Sequence, residues 1–372
     1  MKVQIFVCGE GLGHTSRSIA VGRELIDAGH EVIFSAYGYS KEHIEKAGFD
    51  AIEIPSELKL VGESGSLSIK DSVAETFRRS KLKGYSEVFD LVKSEDPDLI
   101  ISDSYFTAAA ASKINGIPLV MMLNQMNLNG FFENRGIKME LAGRFVKWLA
   151  DTVFKSANRI IIPDFPPPYT VCEKSIFLLP ETVEKVEYVG PLVQEKYDDV
   201  EEKDLDHPHV FSLIGGFGYR KQLLLNVLST ARTREDLNFT LVTGPNLDPA
   251  SLKDKSDNVD IYEYLDDVYP YIKASDLVIA PGGHSTMMES LSFGKPLLSF
   301  PDMLHTEQQN NAERIEELKV GKKMSYFTPP FMISECIDQA IELRDNSVKL
   351  LEFSEKLEGP KRVLQVIDEV IK

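Results

Sequence analysis

The sequence predicts an α/β protein built of two Rossmann-like domains, each a parallel sheet flanked by helices, with the two sheets facing each other across a cleft. Three observations predict it. The chain has 372 residues, beyond the size at which a single core usually stops growing. Short apolar, β-branched runs alternate with longer helical patterns almost from end to end, the pattern of parallel, doubly wound sheets. That alternation is interrupted once, by the acidic stretch Asp198-Asp199-Val200-Glu201-Glu202-Lys203-Asp204-Leu205-Asp206.

In the first half, strands are expected at 2–8, 31–36, 51–54, 98–102, 118–123 and 159–162, with amphipathic helices at 15–28, 71–94, 105–115 and 137–157. The second half repeats the scheme, with strands near 209–214, 238–242, 259–262, 277–280 and 296–299. The acidic stretch has no periodicity and reads as a solvated linker. The expected organisation is therefore an N-terminal domain over 1–190, a linker over 191–208, a C-terminal domain over 209–358, and a last helix over 359–372. That helix is opened by Gly359-Pro360, and Val363, Leu364, Val366, Ile367, Val370 and Ile371 give it an apolar face expected to pack back on the N-terminal domain.

Bulk composition removes several function classes. Hydrophobic residues make up 43% of the chain and aromatics 9%, values of a globular enzyme. The net charge of −17 argues against nucleic acid, which requires a clustered positive surface. Most of the acidity is C-terminal: residues 1–190 carry a net −5 and the remainder −12. Cys8, Cys172 and Cys336 show neither metal spacing nor a paired framework, which fits a reducing cytoplasm. The first apolar run, Val3-Gln4-Ile5-Phe6-Val7, is ended by Gly9 too early for a signal peptide. No apolar run reaches the roughly 18 residues that span a bilayer. The expected location is cytoplasmic, in solution or at the inner face of a membrane.

The candidate chemistry lies in loops at strand ends. Gly9-Glu10-Gly11-Leu12-Gly13-His14 follows the first strand, and Gly11 and Gly13 allow a close backbone approach. The spacing is not the dinucleotide fingerprint, since His14 occupies the sixth position, and no acid ends the second strand; a nicotinamide cofactor is excluded on those grounds. His14 is read at the tip of this loop. Asp103 ends the strand Pro97 to Ser102 on the same rim, and an imidazole oriented by a carboxylate can take a proton from a hydroxyl. A plain helix cap is the bland alternative for each. In the second half, Gly215-Gly216-Phe217-Gly218 follows one strand. Pro281-Gly282-Gly283-His284-Ser285-Thr286 follows another and opens a helix read as Met287 to Phe293. Two such loops can bracket a diphosphate with amides and helix dipoles, without a metal. Glu289, read in the first turn, is placed to accept from a ribose. The polar run His305-Thr306-Glu307-Gln308-Gln309-Asn310-Asn311 suits a hydroxyl-rich ligand.

These pieces together resemble the GT-B glycosyltransferases, above all the family that adds N-acetylglucosamine to the lipid-linked peptidoglycan precursor. The resemblance spans nearly the whole chain. It implies that Leu265, in Tyr264-Leu265-Asp266-Asp267, contacts the base through its backbone, and that Glu289 binds the ribose hydroxyls. By the same resemblance Gln308 and Gln309 read the donor sugar and Gly215, Gly216 and Gly218 hold the diphosphate, while Gly282, Gly283, His284, Ser285 and Thr286 match the helix start that carries Glu289; Glu307 is a candidate for the negative group that an oxocarbenium-like transition state needs. Asn124, Gln125 and Asn127 stand at the acceptor-side motif, where that family begins with histidine and glutamate; Leu123 and Asn124 replace them. Related secondary-metabolite enzymes carry a histidine before the paired glycines, where Pro281 stands here. They also pair an N-terminal histidine with an aspartate, matching His14 and Asp103.

The expected function is inverting transfer of a hexosyl group, with N-acetylglucosaminyl as one candidate, from a UDP-sugar to a hydroxyl acceptor that includes lipid-linked ones, with no cofactor and no metal. A UDP-sugar 2-epimerase and a non-catalytic nucleotide-sugar-binding subunit remain as rival readings. Residues 135–159 hold Arg135, Lys138, Arg144, Lys147, Lys155 and Arg159 against Glu140 and Asp151, a local +4. Met139, Leu141, Phe145, Val146, Trp148, Leu149, Val153 and Phe154 lie among them. Such a helix can rest on an anionic membrane surface, or it can simply cover core. Lys70, Arg78, Arg79, Lys81 and Lys83 add a second basic stretch in the same half.

Overall fold

The computed structural model describes residues 1–9, 11–57, 62–63, 66–67, 82–128, 132, 136–214, 220–244, 247–252 and 256–372. The loop glycines Gly215, Gly216 and Gly218, Arg135, and the basic residues Lys70 to Lys81 lie outside the described residues. Two compact units are present.

The first unit comprises Met1–Val61, Ser68–Gln194 and Leu357–Lys372. Its sheet contains β1 (Lys2–Val7), β2 (Glu31–Ala36), β3 (Ala51–Glu53), β6 (Leu99–Asp103), β7 (Leu119–Met122), β8 (Arg159–Ile162) and β9 (Val186–Tyr188) in the order β3-β2-β1-β6-β7-β8-β9. Every pairing in it is parallel. The short antiparallel hairpin β4 (Gly62–Glu63) and β5 (Ser66–Leu67) belongs to the other unit. The connecting helices are α1 (Leu12–Asp27), α2 (Tyr39–Lys46), α3 (Leu82–Glu95), α4 (Phe106–Asn115) and α5 (Ile137–Ser156).

Period-two alternation in β1 divides the core into two layers. Val3, Ile5 and Val7 pack with Ile19 and Leu25 of α1 on one face. Phe6 packs with Ile100, Tyr105, Met121 and Phe154 on the other. From β1 the chain first builds outward through β2 and β3, then returns to β6 on the opposite side. That reversal is the topological switch point of a doubly wound sheet, where the carboxyl ends of neighbouring strands leave a crevice. The register sets Val7 opposite Asp103, so the loop after β1 and the acid at the end of β6 are neighbours.

The second unit comprises Gly62–Leu67 and Glu195–Lys356. Its main sheet contains β10 (His209–Ser212), β11 (Asn238–Val242), β12 (Val259–Tyr262), β13 (Leu277–Ala280), β14 (Leu297–Ser299) and β15 (Gly321–Lys323), again all parallel, in the order β12-β11-β10-β13-β14-β15. The reversal here falls between β10 and β13. Around the sheet lie α6 (Lys221–Thr233), α7 (Tyr269–Ala274), α8 (His284–Ser292), α9 (Thr306–Glu317), α10 (Pro330–Ile341) and α11 (Arg344–Leu357). Val210, Phe239, Leu241, Ile279 and Leu298 form its core with Leu224, Val227, Ile333 and Ile337.

The last helix, α12 (Gly359–Ile371), belongs to the first unit, where Val363, Val366 and Ile367 are buried in the β1 layer. The acidic stretch is exposed over most of its length and is also tied to the second unit. Lys273 Nζ donates to the carbonyls of Tyr197 (2.7 Å) and Val200 (2.9 Å), and the amide of Lys203 donates to Pro270 O at 3.2 Å. The edge strands β9 and β15 and the hairpin β4–β5 were not expected. Val186-Glu187-Tyr188, Gly321-Lys322-Lys323, Gly62-Glu63 and Ser66-Leu67 lack the continuous apolar run that marks the longer strands.

Candidate active site

The candidate catalytic cluster is built within the first unit by α1. Gly11 caps this helix at φ 103° with open space where a side chain would stand, a backbone region that glycine enters without penalty. The helix consequently begins at Leu12, three residues before the expected start, and His14 lies in its first turn rather than at a loop tip. Helical geometry then brings His14, Arg17 and Ser18, at spacings of three and four residues, onto one face. All three point at Asp103, at the end of β6.

His14 Nδ1 is 2.7 Å from Asp103 Oδ1. Arg17 grips the same carboxylate with both arms of its guanidinium: Nε donates to Oδ2 at 2.7 Å and Nη2 donates to Oδ1. The Ser18 hydroxyl donates to Oδ2 at 3.1 Å. Arg17 Nη1 donates to Asn124 Oδ1 at 3.0 Å, and Nη2 lies 2.9 Å from His14 Nδ1. Asp103 and Arg17 are buried, whereas the His14 side chain keeps 23% of its surface exposed. Burial alone would push the Asp103 carboxyl up. The Arg17 charge, helped by His14 and by the hydrogen bonds, outweighs it and holds the group well below the usual carboxylate range. A carboxylate oxygen 2.7 Å from a ring nitrogen requires that nitrogen to donate. In the neutral ring the proton therefore sits on Nδ1, which puts the lone pair on Nε2.

The helix-cap alternative fails for Asp103. Tyr105 occupies the N-cap position of α4 and makes no side-chain cap. Glu57 serves that end instead, accepting from the amides of Phe106 (2.7 Å) and Thr107. Of the acceptor-side candidates, Asn124 is buried and joined to the cluster through Arg17. Gln125 and Asn127 are half-buried, and the amide of Asn127 donates to Ser175 O at 3.1 Å. Gly13 lies in the first turn of α1 beside His14.

In the second unit, α8 begins at His284, not Met287, so Glu289 sits in its second turn. There it accepts from the Tyr269 hydroxyl at 3.4 Å. The paired glycines play different parts. A side chain at Gly282 would collide with the Gln308 backbone carbonyl at 2.5 Å, whereas one at Gly283 would meet open space. Gly282 thus lets α9 approach, and Gly283 leaves the positive end of the α8 dipole uncovered. His284 is buried, while Ser285 and Thr286 are half-buried. Leu265 lies in the loop between β12 and α7.

The polar run 305–311 is partly engaged in holding its own loop. His305 caps α9. Gln308 Oε1 accepts from the Asp302 amide at 3.0 Å, and Gln309 Nε2 donates to the carbonyls of Pro301 (3.3 Å) and Asp302 (3.1 Å). Glu307 Oε1 accepts from Asn311 Nδ2 at 3.1 Å. Arg17, Ser18 and the buried pair Arg220–Asp302, 2.8 Å apart, were not among the expected residues. Arg17 and Ser18 become visible once α1 is started at Gly11, because both then share a face with His14.

Residues 1–186 match the model of glycosyl transferase family 1, and residues 212–363 match the glycosyltransferase family 28 C-terminal domain. A glycosyltransferase of Methanosarcina mazei is 48% identical over 99% of this chain and 98% of its own length. More distantly, the UDP-N-acetylglucosamine--N-acetylmuramyl-(pentapeptide) pyrophosphoryl-undecaprenol N-acetylglucosamine transferase of Shouchella clausii is 24% identical over 81% of this chain and 79% of its own. Among solved structures, the glycosyltransferase of kitacinnamycin superposes with a TM-score of 0.75 at 15% identity, covering 100% of this chain and 98% of that one.

Proposed function

The chain belongs to the glycosyltransferases, with the two-unit fold of the GT-B type, and from that premise we propose that it transfers a hexosyl group from a UDP-sugar to a hydroxyl acceptor with inversion. The observation that carries the reading is the His14–Asp103 pair, a half-buried imidazole whose Nδ1 is held by a buried carboxylate, so that the neutral ring has its lone pair on Nε2. In the proposed step the acceptor hydroxyl gives its proton to Nε2 as its oxygen bonds to the anomeric carbon. The bond from that carbon to the diphosphate oxygen breaks, and the UDP leaves with the electron pair. A single displacement of this kind inverts the anomeric centre. Asp103 stabilises the imidazolium that forms. The amides around Gly283 and the α8 dipole, with the loop at 215–218, would carry the diphosphate; Glu289 would take the ribose; and Glu307, Gln308 and Gln309 would line the sugar. Gln308 Nε2 and Gln309 Oε1 are the ends of those amides that the loop contacts leave for the sugar hydroxyls.

The test is turnover with a panel of UDP-sugars and hydroxyl acceptors. His14→Ala should keep donor affinity and lose roughly a hundredfold or more in turnover, the usual worth of a positioned base. Turnover near that of the wild type would remove His14 from the role, as a non-catalytic binding subunit requires. Incubation with UDP-N-acetylglucosamine alone separates the remaining alternative, since a new hexosamine would mark a 2-epimerase.

The proposed acceptor is lipid-linked, and the support comes from α5. Ile137 (77% exposed), Leu141 (58%), Phe145 (59%) and Trp148 (62%) form an outward apolar stripe at helical spacing, while Gly143, Ala150 and Phe154 are buried on the opposite side. The exposed Lys138 and Arg144 lie among the stripe residues, whereas Lys155, two turns further on, is paired with Glu181 at 2.9 Å. Contiguous exposed apolar surface marks an interaction site, and basic residues beside it favour anionic headgroups by about 1 kcal/mol each. Among the described residues no helix is long and apolar enough to cross a membrane, so contact would be peripheral. Cosedimentation with liposomes containing anionic lipid, at low and high salt, tests it. Absence of salt-sensitive binding would point to small acceptors that are free in solution.

A further inference from the structure

The transfer step above uses His14 and Asp103 but leaves Arg17 without a part, although Arg17 is the best connected member of the cluster. It is buried, and a buried guanidinium is costly unless its donors are matched in number and direction. Balancing the charge of Asp103 would need only one contact. The observed fork does more. Nε and Nη2 each take one oxygen of the carboxylate, which fixes the plane of that group as well as its charge. Nη1 reaches in another direction, to Asn124 Oδ1 beyond the end of β7. The same Nη2 lies 2.9 Å from His14 Nδ1. Because Nη2 is itself a donor, Nδ1 has Asp103 Oδ1 as its acceptor, and the two N–H groups converge on that one oxygen.

We propose that Arg17 is the positioning residue of this site. It clamps the Asp103 carboxylate so that Oδ1 faces the imidazole, and in this way holds His14 in the single tautomer whose Nε2 can accept a proton. It also turns the Asn124 amide, because only the carbonyl end of that amide can accept from Nη1. The donor end of Asn124 is thereby directed away from Arg17. One side chain thus sets the direction of both the base and its polar neighbour. This rests on the proposed role of His14, and the experiment separates the two.

The experiment combines nitrogen-15 NMR of the histidine rings with steady-state kinetics on wild type, Arg17→Lys and the double variant Arg17→Met/Asp103→Asn. His14→Ala identifies the His14 resonances. Lysine keeps the positive charge against Asp103 and so protects the fold, but it cannot reproduce the fork. The double variant removes both buried charges together. Wild-type His14 should show one tautomer, protonated on Nδ1, and both Arg17 variants should show a mixture. Turnover of Arg17→Lys should fall at least tenfold with the donor KM within about twofold. A wild-type His14 that is already mixed or protonated on Nε2 would overturn the proposal. So would an Arg17→Lys variant with the wild-type tautomer and wild-type turnover. Should His14→Ala retain turnover, the assignment of the base fails alone, because the tautomer of the ring is read directly by NMR.

Discussion

At Asp103 a single carboxylate meets an imidazole, a guanidinium and a hydroxyl, and its replacement should register in two separate measurements. Asp103→Asn should lower turnover less than His14→Ala does, since the base remains while its orientation and the stabilisation of its charged form are lost. The second measurement is stability against pH. The folded protein holds the Asp103 proton less tightly than the unfolded chain does, because of Arg17. The stabilisation it gives is complete above about pH 5 and is lost progressively as the pH falls through and below the unfolded value near 4. Thermal melting between pH 3.5 and 7 should show a shallower acid-side loss in Asp103→Asn than in wild type; equal slopes would contradict the ion pair. Glu289→Ala should weaken UDP binding by about 1–3 kcal/mol, the size of a hydrogen bond to a charged group, and calorimetry reads this directly. His14 and Asp103 were legible in the sequence because each follows an apolar strand on the same rim. Arg17 and Ser18 were not, because starting α1 at residue 15 puts them in its first turn and leaves His14 in the loop.

Among the elements, α4 shows how a helix can borrow its cap. No side chain of its own closes the N-terminus, and Glu57 arrives from far along the chain to accept from Phe106 and Thr107. The Tyr105 hydroxyl adds a bond to Pro55 O at 2.9 Å. Glu57→Ala should destabilise the first unit by about 1–2 kcal/mol, the worth of a helix cap, as read by denaturant midpoint. No local pattern announces such a cap, since its partners are distant in sequence. Helix α5 illustrates a different limit. Apolar residues occur on both of its faces, so periodicity cannot say which face is covered. The covered face turns out to carry Gly143, Ala150 and Phe154, and the larger Leu141, Phe145 and Trp148 face outward. Phe145→Glu together with Trp148→Glu should abolish liposome binding and leave UDP affinity unchanged; retained binding would move the contact elsewhere.

Taken as a molecule, the chain repeats one plan twice, a parallel sheet that reverses direction beside its first strand, and the alternation of apolar runs with helical patterns made that plan legible. The division of the chain was less so. Composition marks the acidic stretch but does not say which unit it joins, and it is tied to the Lys273 side chain through its backbone carbonyls, which no sequence pattern reveals. The first unit also takes in α12, whose Val363, Val366 and Ile367 are fully buried; such side chains contribute about 1.5–3 kcal/mol each. Removing residues 359–372 should therefore unfold the first unit at a lower temperature while UDP still protects the second, and calorimetric scans with and without UDP would resolve the two. A consequence of that helix appears during synthesis. Domains generally fold as units while the chain emerges, the N-terminal one first. Here the residues that close the first core leave the ribosome after the whole of the second unit, which is complete by residue 356. The order of maturation is thus reversed. The half made first waits, with part of its β1 layer uncovered, until the helix Gly359–Ile371 emerges behind the second unit.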